Sequence, residues 1–348
     1  MTQGLIDLGL GTPRELGRRH GDATATAVRE LFEVRLALCR VRMNASDAAI
    51  QRLAESHLPA LGAFDMPLAQ ELAGLSESTG LAPWQLVVLN HYTDFRDIRA
   101  PATDEGCSVV YLPHEAGPLV AQTWDMHGTA EPYVRLVRGQ ATGEASFAVF
   151  TLTGCLGMAG MNSHGVAIAI NNLTPDDARV GVLWPALVRR MLREPTAMKA
   201  VGILRTARLG SGHNYLVADP KRVFNVETTA TRLAITHTDP SRGTFHTNHY
   251  LDAGLRSHEQ PALPSSTTRD RFDRLTRGLA TPPTSAAALW ALLGSHDGHP
   301  RSICAHLQGD DPAASKTCGG VLMDPTRREL RWHRGCLHGV PLPHAVVV

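Results

Sequence analysis

The residues best suited to chemistry sit in DEGCSVV, residues 104–110, where a cysteine follows a glycine and opens an apolar, β-branched run. If the Gly106–Cys107 peptide bond breaks, Cys107 carries its own base. Its freed α-amine, with an ordinary pKa of about 7.7–8.0, can take the thiol proton near neutral pH. The resulting thiolate is a strong nucleophile. Before cleavage that nitrogen is an amide and no such base exists, so cleavage and activation are one event. Gly106, without a Cβ, permits a close approach of the thiol to the bond. A packing cysteine at a strand start has the same local signature, and both readings stand on these residues alone.

Other arrangements carry less chemistry. The six cysteines, Cys39, Cys107, Cys155, Cys304, Cys318 and Cys336, are scattered without a CxxC pair, which fits free thiols better than a disulfide framework. Among 17 histidines, His246-x-x-His249 and His296-x-x-His299 are the nearest approaches to ligand spacing. Neither has the HExxH pattern or a companion CxxC, and both lie among loop-forming residues, so no metal or other cofactor is expected. LGLGTPRELG (8–17), with Gly9, Gly11 and Gly17, lacks the preceding strand and the Lys-Ser/Thr of a phosphate loop. No serine sits in a GxSxG elbow.

The elements that must position Cys107 change texture near residue 105. Apolar residues recur at helical spacing over 21–42, 46–61, 66–80 and 83–95, with Ser46 as a cap and Pro83 in a first turn. From 107 onward, CSVVYL, PLVAQTWDM, YVRLVRG and SFAVFTLTG read as strands. Residues 157–173 read as a hairpin around Asn162–Gly165. Two helices follow over 182–193 and 196–209. Three strands are then predicted over 213–238, helices over 266–279 and 284–294, and a closing hairpin around Asp324-Pro325-Thr326. Strands, helices and strands again make an α+β arrangement with helices outside packed sheets.

The 348 residues allow one large domain or two medium ones, and 43% hydrophobic with 19% charged residues suits a sizeable core. A net charge of +1 offers no footprint for nucleic acid or anionic lipid. No apolar run is long enough to span a bilayer and no secretion signal opens the sequence, so a cytoplasmic, soluble protein is expected.

Together these motifs resemble the N-terminal-nucleophile hydrolases, and most closely the acyl-coenzyme A:6-aminopenicillanate (isopenicillin N) acyltransferase family. Bile-salt and penicillin V amidases are more distantly similar. The resemblance runs from the Gly-Cys junction through VAQTWDMH (120–127), GMNSHGVAIAINNL (160–173), HTNHY (246–250) and SSTTRDRF (265–272). It implies a four-layer αββα sandwich, with residues 1–106 as a helical pro-segment retained after cleavage and 107–348 as the catalytic chain. It implies Cys107 as nucleophile, Asp125 as the carboxylate that holds its amine, Asn248 as a side-chain oxyanion donor, Asn172 as a backbone donor, and Arg269 as the arginine near the nucleophile. Two departures stand out. Gln122 occupies a position where the amidase branch has arginine, which favours the acyltransferase branch. That branch's Ser-Arg pair finds only Ser315-Lys316 here, and lysine does not replace arginine bidentately.

The resemblance implies hydrolysis of a linear amide of a small molecule, such as an N-acyl amine, through a thioester on Cys107. An acyltransferase of the same family, an uncleaved binding protein, and a histidine-ligated metalloenzyme are the alternatives.

Overall fold

The architecture is that of a computed structural model describing residues 4–99, 106–306 and 314–348; Asp104 and Glu105 of the junction motif lie outside the described residues. The first segment contains β1 (Leu5–Gly11), α1 (Pro13–Met43), α2 (Asp47–Phe64), α3 (Met66–Thr79), α4 (Pro83–Asn90) and α5 (Tyr92–Arg99). Helix α1 starts on a capping box: the Thr12 hydroxyl accepts from the Glu15 N–H, and the Glu15 carboxylate accepts from the Thr12 N–H.

The LGLG stretch, residues 8–11, was not expected to be a strand. It lies in β1, which pairs in parallel with β4 (Val134–Ala141) and makes the segment before residue 107 more than helical. Gly17, from the same glycine run, sits where α1 crosses α3. A Cβ there would lie 1.9 Å from the Glu71 carbonyl oxygen, and one on Gly74 would lie 2.1 Å from that of Arg14. The glycines therefore serve backbone-to-backbone helix packing.

After the junction come β2 (Gly106–Leu112), β3 (Leu119–His127), β4, β5 (Ser146–Leu152), and the hairpin β6 (Ala159–Asn162) and β7 (Ala167–Leu173). Helices α6 (Trp184–Met191) and α7 (Ala197–Thr206) lead to β8 (Gly212–Ala218), β9 (Val223–Thr228), β10 (Leu233–His237) and β11 (Thr244–His246). The chain closes with α8 (Thr268–Leu279), α9 (Ala286–Leu293), β12 (Ser315–Asp324), β13 (Glu329–Arg334) and β14 (Val346–Val347).

These strands build an eight-stranded sheet, β1-β4-β5-β6-β7-β8-β9-β10, and a six-stranded sheet, β11-β2-β3-β12-β13-β14. The sheets pack face to face through β2 and β3 against β7. Helices α1 and α7 pack on the first sheet, and α8 and α9 on the second, giving the expected αββα layering. The strands between the sheets read as apolar runs because both faces are covered: every residue of β2, β3 and β8 is buried. No helix among the described residues is long and apolar enough to cross a membrane.

Candidate active site

Strands β2 and β3 run antiparallel, with Cys107 opposite Trp124 and Gly106 opposite Asp125. Side chains alternate along a strand. Cys107, Trp124 and Gln122 therefore face the first sheet, where the Gln122 side-chain oxygen accepts from the Ile170 N–H at 2.9 Å. Asp125 and Ser108 face α8 instead. The thiol and the carboxylate thus sit on opposite faces of one strand pair, joined through the backbone at the Gly106–Cys107 junction.

The Cys107 peptide unit is fully engaged. Its N–H donates to Asn248 Oδ1 at 2.8 Å, while its carbonyl accepts from Arg271 Nη1 at 2.6 Å and from Asn171 Nδ2 at 2.9 Å. Arg271, 1% exposed, also donates to Asn248 Oδ1 at 2.9 Å, to Ser108 Oγ at 3.1 Å and to Thr267 Oγ1 at 3.0 Å. Its Nε lies 3.8 Å from Asp125 Oδ2. Asn248 is fixed in turn: its N–H donates to Thr268 Oγ1 at 2.7 Å, and its Nδ2 donates to the Asn172 carbonyl at 2.9 Å. The space left for residue 106 is small. A Cβ there would lie 2.3 Å from Arg271 Nη2 and 2.7 Å from Asn248 Oδ1, so any larger residue would push these side chains out of their hydrogen bonds to Cys107.

Electrostatics follow from burial. Asp125 accepts from Thr317 Oγ1 at 2.7 Å through Oδ1, while Oδ2 has no hydrogen-bond partner among the described residues. Burial raises the Asp125 pKa, opposed by Arg271 and by the Thr317 hydroxyl. Burial also pushes the Cys107 thiol up to about 12, with the charge of Asp125 adding to it and Arg271 opposing. In the uncleaved chain the thiol is therefore protonated at neutral pH, and attack requires a base.

The expected residues converge with one exception. Cys107, Asp125 and Asn248 surround one peptide bond. Asn172 lines the cleft and gives Asn248 a carbonyl acceptor. Arg269 does not come to the site: its side chain is 65% exposed and lies 4.0 Å from Glu259. Two residues along α8 is about 200° around the helix, so Arg269 and Arg271 point in nearly opposite directions. Arg271 shares its buried face with Thr268 and Leu275, at i−3 and i+4. That helical spacing was the signal available for choosing between the two arginines.

Asn171 and Thr317 were also missed. Asn171 belongs to a buried amide chain in which Asn214 Nδ2 donates to Asn171 Oδ1 at 3.1 Å and to Asn225 Oδ1 at 3.0 Å. Lys316 pairs with Glu131. The His246/His249 pair is structural. His246 is completely buried with Nε2 2.7 Å from Glu227, and His249 Nδ1 contacts Thr268 Oγ1 at 3.0 Å.

A narrow cleft opens on Cys107, with a cavity of about 40 Å³. Its walls are largely apolar: Leu89, Tyr92, Trp124, Met126, Met158 and Trp184. Arg35, from α1, adds a cation beside this wall, so both segments of the chain build the cleft.

A sequence profile of the family described as acyl-coenzyme A:6-aminopenicillanic acid acyl-transferase matches residues 113–332, more than half of the chain. The chain belongs to this family. A relative from Emericella nidulans, the 40 kDa form of acyl-coenzyme A:6-aminopenicillanic-acid-acyltransferase, is 27% identical over 305 residues, spanning 86% of this chain and 84% of the relative. Among solved structures, a Caenorhabditis elegans N-acylethanolamine-hydrolyzing acid amidase ortholog is similar at 12% identity and a TM-score of 0.43, over 63% of this chain and 93% of the other. A variant of the conjugated bile acid hydrolase from Clostridium perfringens is similar at 11% identity and a TM-score of 0.44, over 66% of this chain and 89% of the other.

Proposed function

We propose that this protein is a self-activating cysteine amidohydrolase that breaks its own Gly106–Cys107 bond and then cleaves a linear amide through a thioester on Cys107. The observation that carries this reading is the convergence of Asn248, Arg271 and Asn171 on the Cys107 peptide unit, with space at 106 for no side chain unless Arg271 and Asn248 move. A packing cysteine has no need of a buried arginine and two amides on its backbone.

In the maturation step, Cys107 Sγ loses its proton and attacks the Gly106 carbonyl carbon. The C–N bond breaks, the nitrogen takes a proton, and a thioester forms. Water then releases the Gly106 carboxylate and leaves a free α-amine on Cys107. Asp125 would hold that new ammonium; its Oδ2 takes no hydrogen bond among the described residues and has Arg271 only at 3.8 Å, which supports this role. In turnover the amine accepts the thiol proton, the thiolate attacks the substrate carbonyl, and the leaving amine is protonated. Asn248 Nδ2 is the side-chain donor for the oxyanion, a contribution typically worth about a hundredfold or more in rate.

Residues 1–106 stay bound after cleavage in this reading. Supporting it, β1 is a strand of the first sheet, and Glu71 forms a buried pair with Arg189 at 2.9 and 3.0 Å. The apolar wall suits an acyl chain or aromatic acyl group. Arg35, 4% exposed with its Nε free of partners among the described residues, favours substrates that also carry a negative charge. Transfer of the acyl group to an amine is the second reading, favoured by the family profile. Supplying amines alongside water and quantifying both products separates the two.

Intact mass of the purified protein under denaturing conditions should give two chains, 1–106 and 107–348. A single chain after prolonged incubation at neutral pH would sink the proposal.

A further inference from the structure

A second cluster of reactive side chains lies beyond α9, outside the cleft. His296, Cys304, His306 and Cys336 bring their ligand atoms within 4.8 Å of one another. The two sulfurs are 3.7 Å apart, and Cys336 Sγ lies 3.3 Å from Nε2 of both His296 and His306. Sequence spacing had linked His296 to His299, but His299 meets the group through its ring and its backbone N–H to the His296 carbonyl, not as one of the four ligand side chains.

We propose that these four side chains form a closed structural site for one tetrahedral divalent ion of the Zn²⁺ class. With metal bonds of about 2.3 Å to sulfur and about 2.0–2.1 Å to nitrogen, tetrahedral geometry separates two sulfurs by about 3.8 Å and sulfur from nitrogen by about 3.5 Å. The observed separations are close to both. The imidazole nitrogens, 2.6 Å apart in a ring-to-ring hydrogen bond, must open by under an ångström to admit the ion. Two thiolates and two imidazoles without a carboxylate select zinc over Mg²⁺ or Ca²⁺. Four protein ligands leave no open position, which is the pattern of a structural rather than a hydrolytic site.

Backbone donors reach both sulfurs. The Leu337 N–H donates to Cys304 Sγ at 3.5 Å, and the His338 N–H donates to Cys336 Sγ at 3.4 Å. His338 stacks on His296 with centroids 3.9 Å apart, and its Nδ1 holds the Gly294 carbonyl at 3.1 Å. Such outer contacts orient ligands and stabilise charge on them. A disulfide would need the sulfurs to close from 3.7 Å to about 2.05 Å.

The ion would tie the loop after α9 to the end of β13. Its reach extends to the active site by one residue. Between the ligands Cys304 and His306, the Ala305 N–H donates to Thr317 Oγ1 at 2.8 Å, and that hydroxyl donates to Asp125.

The test is metal content of the full chain, expressed with zinc supplied and purified without a metal-affinity step. About one zinc per chain is expected, resistant to desalting. Cys336→Ser and His306→Ala should lower zinc occupancy at least about tenfold, while the exposed control His164→Ala should not. If the ligand variants fail to fold, the wild-type protein still decides. Loaded with Co²⁺, it should show thiolate-to-metal charge transfer and the visible bands of tetrahedral cobalt. Absence of zinc from the wild-type protein, an octahedral cobalt spectrum, unchanged zinc in folded Cys336→Ser, or a Cys304–Cys336 disulfide-linked peptide would each overturn the site. None of these readouts depends on cleavage at Gly106.

Discussion

Gly106–Cys107 and Gly335–Cys336 are the same dipeptide in two surroundings. At 335 the glycine takes φ +94°, a left-handed turn that delivers the cysteine to a group of imidazoles and a second sulfur. At 106 the glycine is extended within β2, and what it supplies is space: a Cβ would strike Arg271 and Asn248. Gly154–Cys155 is a third case. Its glycine has φ +77°, and the thiol donates to the Leu89 carbonyl at 3.2 Å, although Cys155 lines the same cleft as Cys107. Asn90 Nδ2 also holds the Gly154 carbonyl at 3.0 Å, whereas at Cys107 a buried arginine and two side-chain amides meet the residue's own N–H and carbonyl. The difference is that a buried cation, Arg271, converges with two amides on the backbone of Cys107, whereas the contacts that set Cys336 and Cys155 apart are made to sulfur.

The largest expected effect breaks this comparison directly. Cys107→Ala should abolish both chain separation and turnover, leaving one species by intact mass. Folded Cys336→Ser and Cys155→Ala should still divide into 1–106 and 107–348. Division in Cys107→Ala would mean that an external protease makes the cut.

The next contrast is between the two arginines of α8. In the uncleaved Cys107→Ala background, Arg271→Met leaves the Asp125 carboxylate without its buried cation and the residue-107 carbonyl without its arginine donor, with Asn171 Nδ2 still in place. Urea denaturation should report a loss of about 3–5 kcal/mol. Arg269→Ala, on the exposed face, should stay within about 0.5 kcal/mol of the parent. Equal effects would remove Arg271 from its special place.

The glycines themselves give a smaller and more selective contrast. Gly106→Ala should slow chain separation by about a hundredfold, the scale expected when reacting atoms are displaced by an ångström. Gly335→Ala carries left-handed strain of about 1–2 kcal/mol and should leave the rate of separation nearly unchanged. A time course of intact mass measures both.

Much of this was legible in the sequence. The alternation and apolar runs after residue 107 predicted β2 to β10, and the helical spacing before it predicted α1 to α4, because these segments are buried on defined faces. The short strands β1, β11 and β14 were not predicted. β1 is glycine-rich and held by a parallel partner about 130 residues away in sequence, and a pattern confined to a window cannot register such pairing. At the site, residues attached to motifs were found, and residues brought in by tertiary structure were not. Thr317 reaches Asp125 through the β3–β12 register, with no sequence mark beyond a threonine in a strand. The cysteine–histidine cluster failed to appear for the same reason. Its ligands come from three separated positions, and only Cys304-x-His306 is local.

The smallest effect concerns the carboxylate that both regions touch through Thr317. In the uncleaved chain burial raises the Asp125 pKa above its ordinary value of 3.8, so the folded state binds this proton more tightly than the unfolded state does. The stability this gives is fully present below the ordinary value and is lost as pH rises through the raised one. Each unit of separation between the two corresponds to about 1.4 kcal/mol. Thermal denaturation of Cys107→Ala with and without Asp125→Asn, measured from pH 3 upward, should therefore favour the asparagine variant increasingly as pH rises. Thr317→Val removes a hydrogen bond that lowers the pKa and should extend that loss to higher pH. In the cleaved wild-type protein, the new ammonium of Cys107 favours the charged carboxylate, and the same Asp125→Asn comparison should flatten or change sign. An identical pH response before and after cleavage would show that the ammonium and Asp125 do not meet. It would also leave the thiol's base without the carboxylate proposed to hold it.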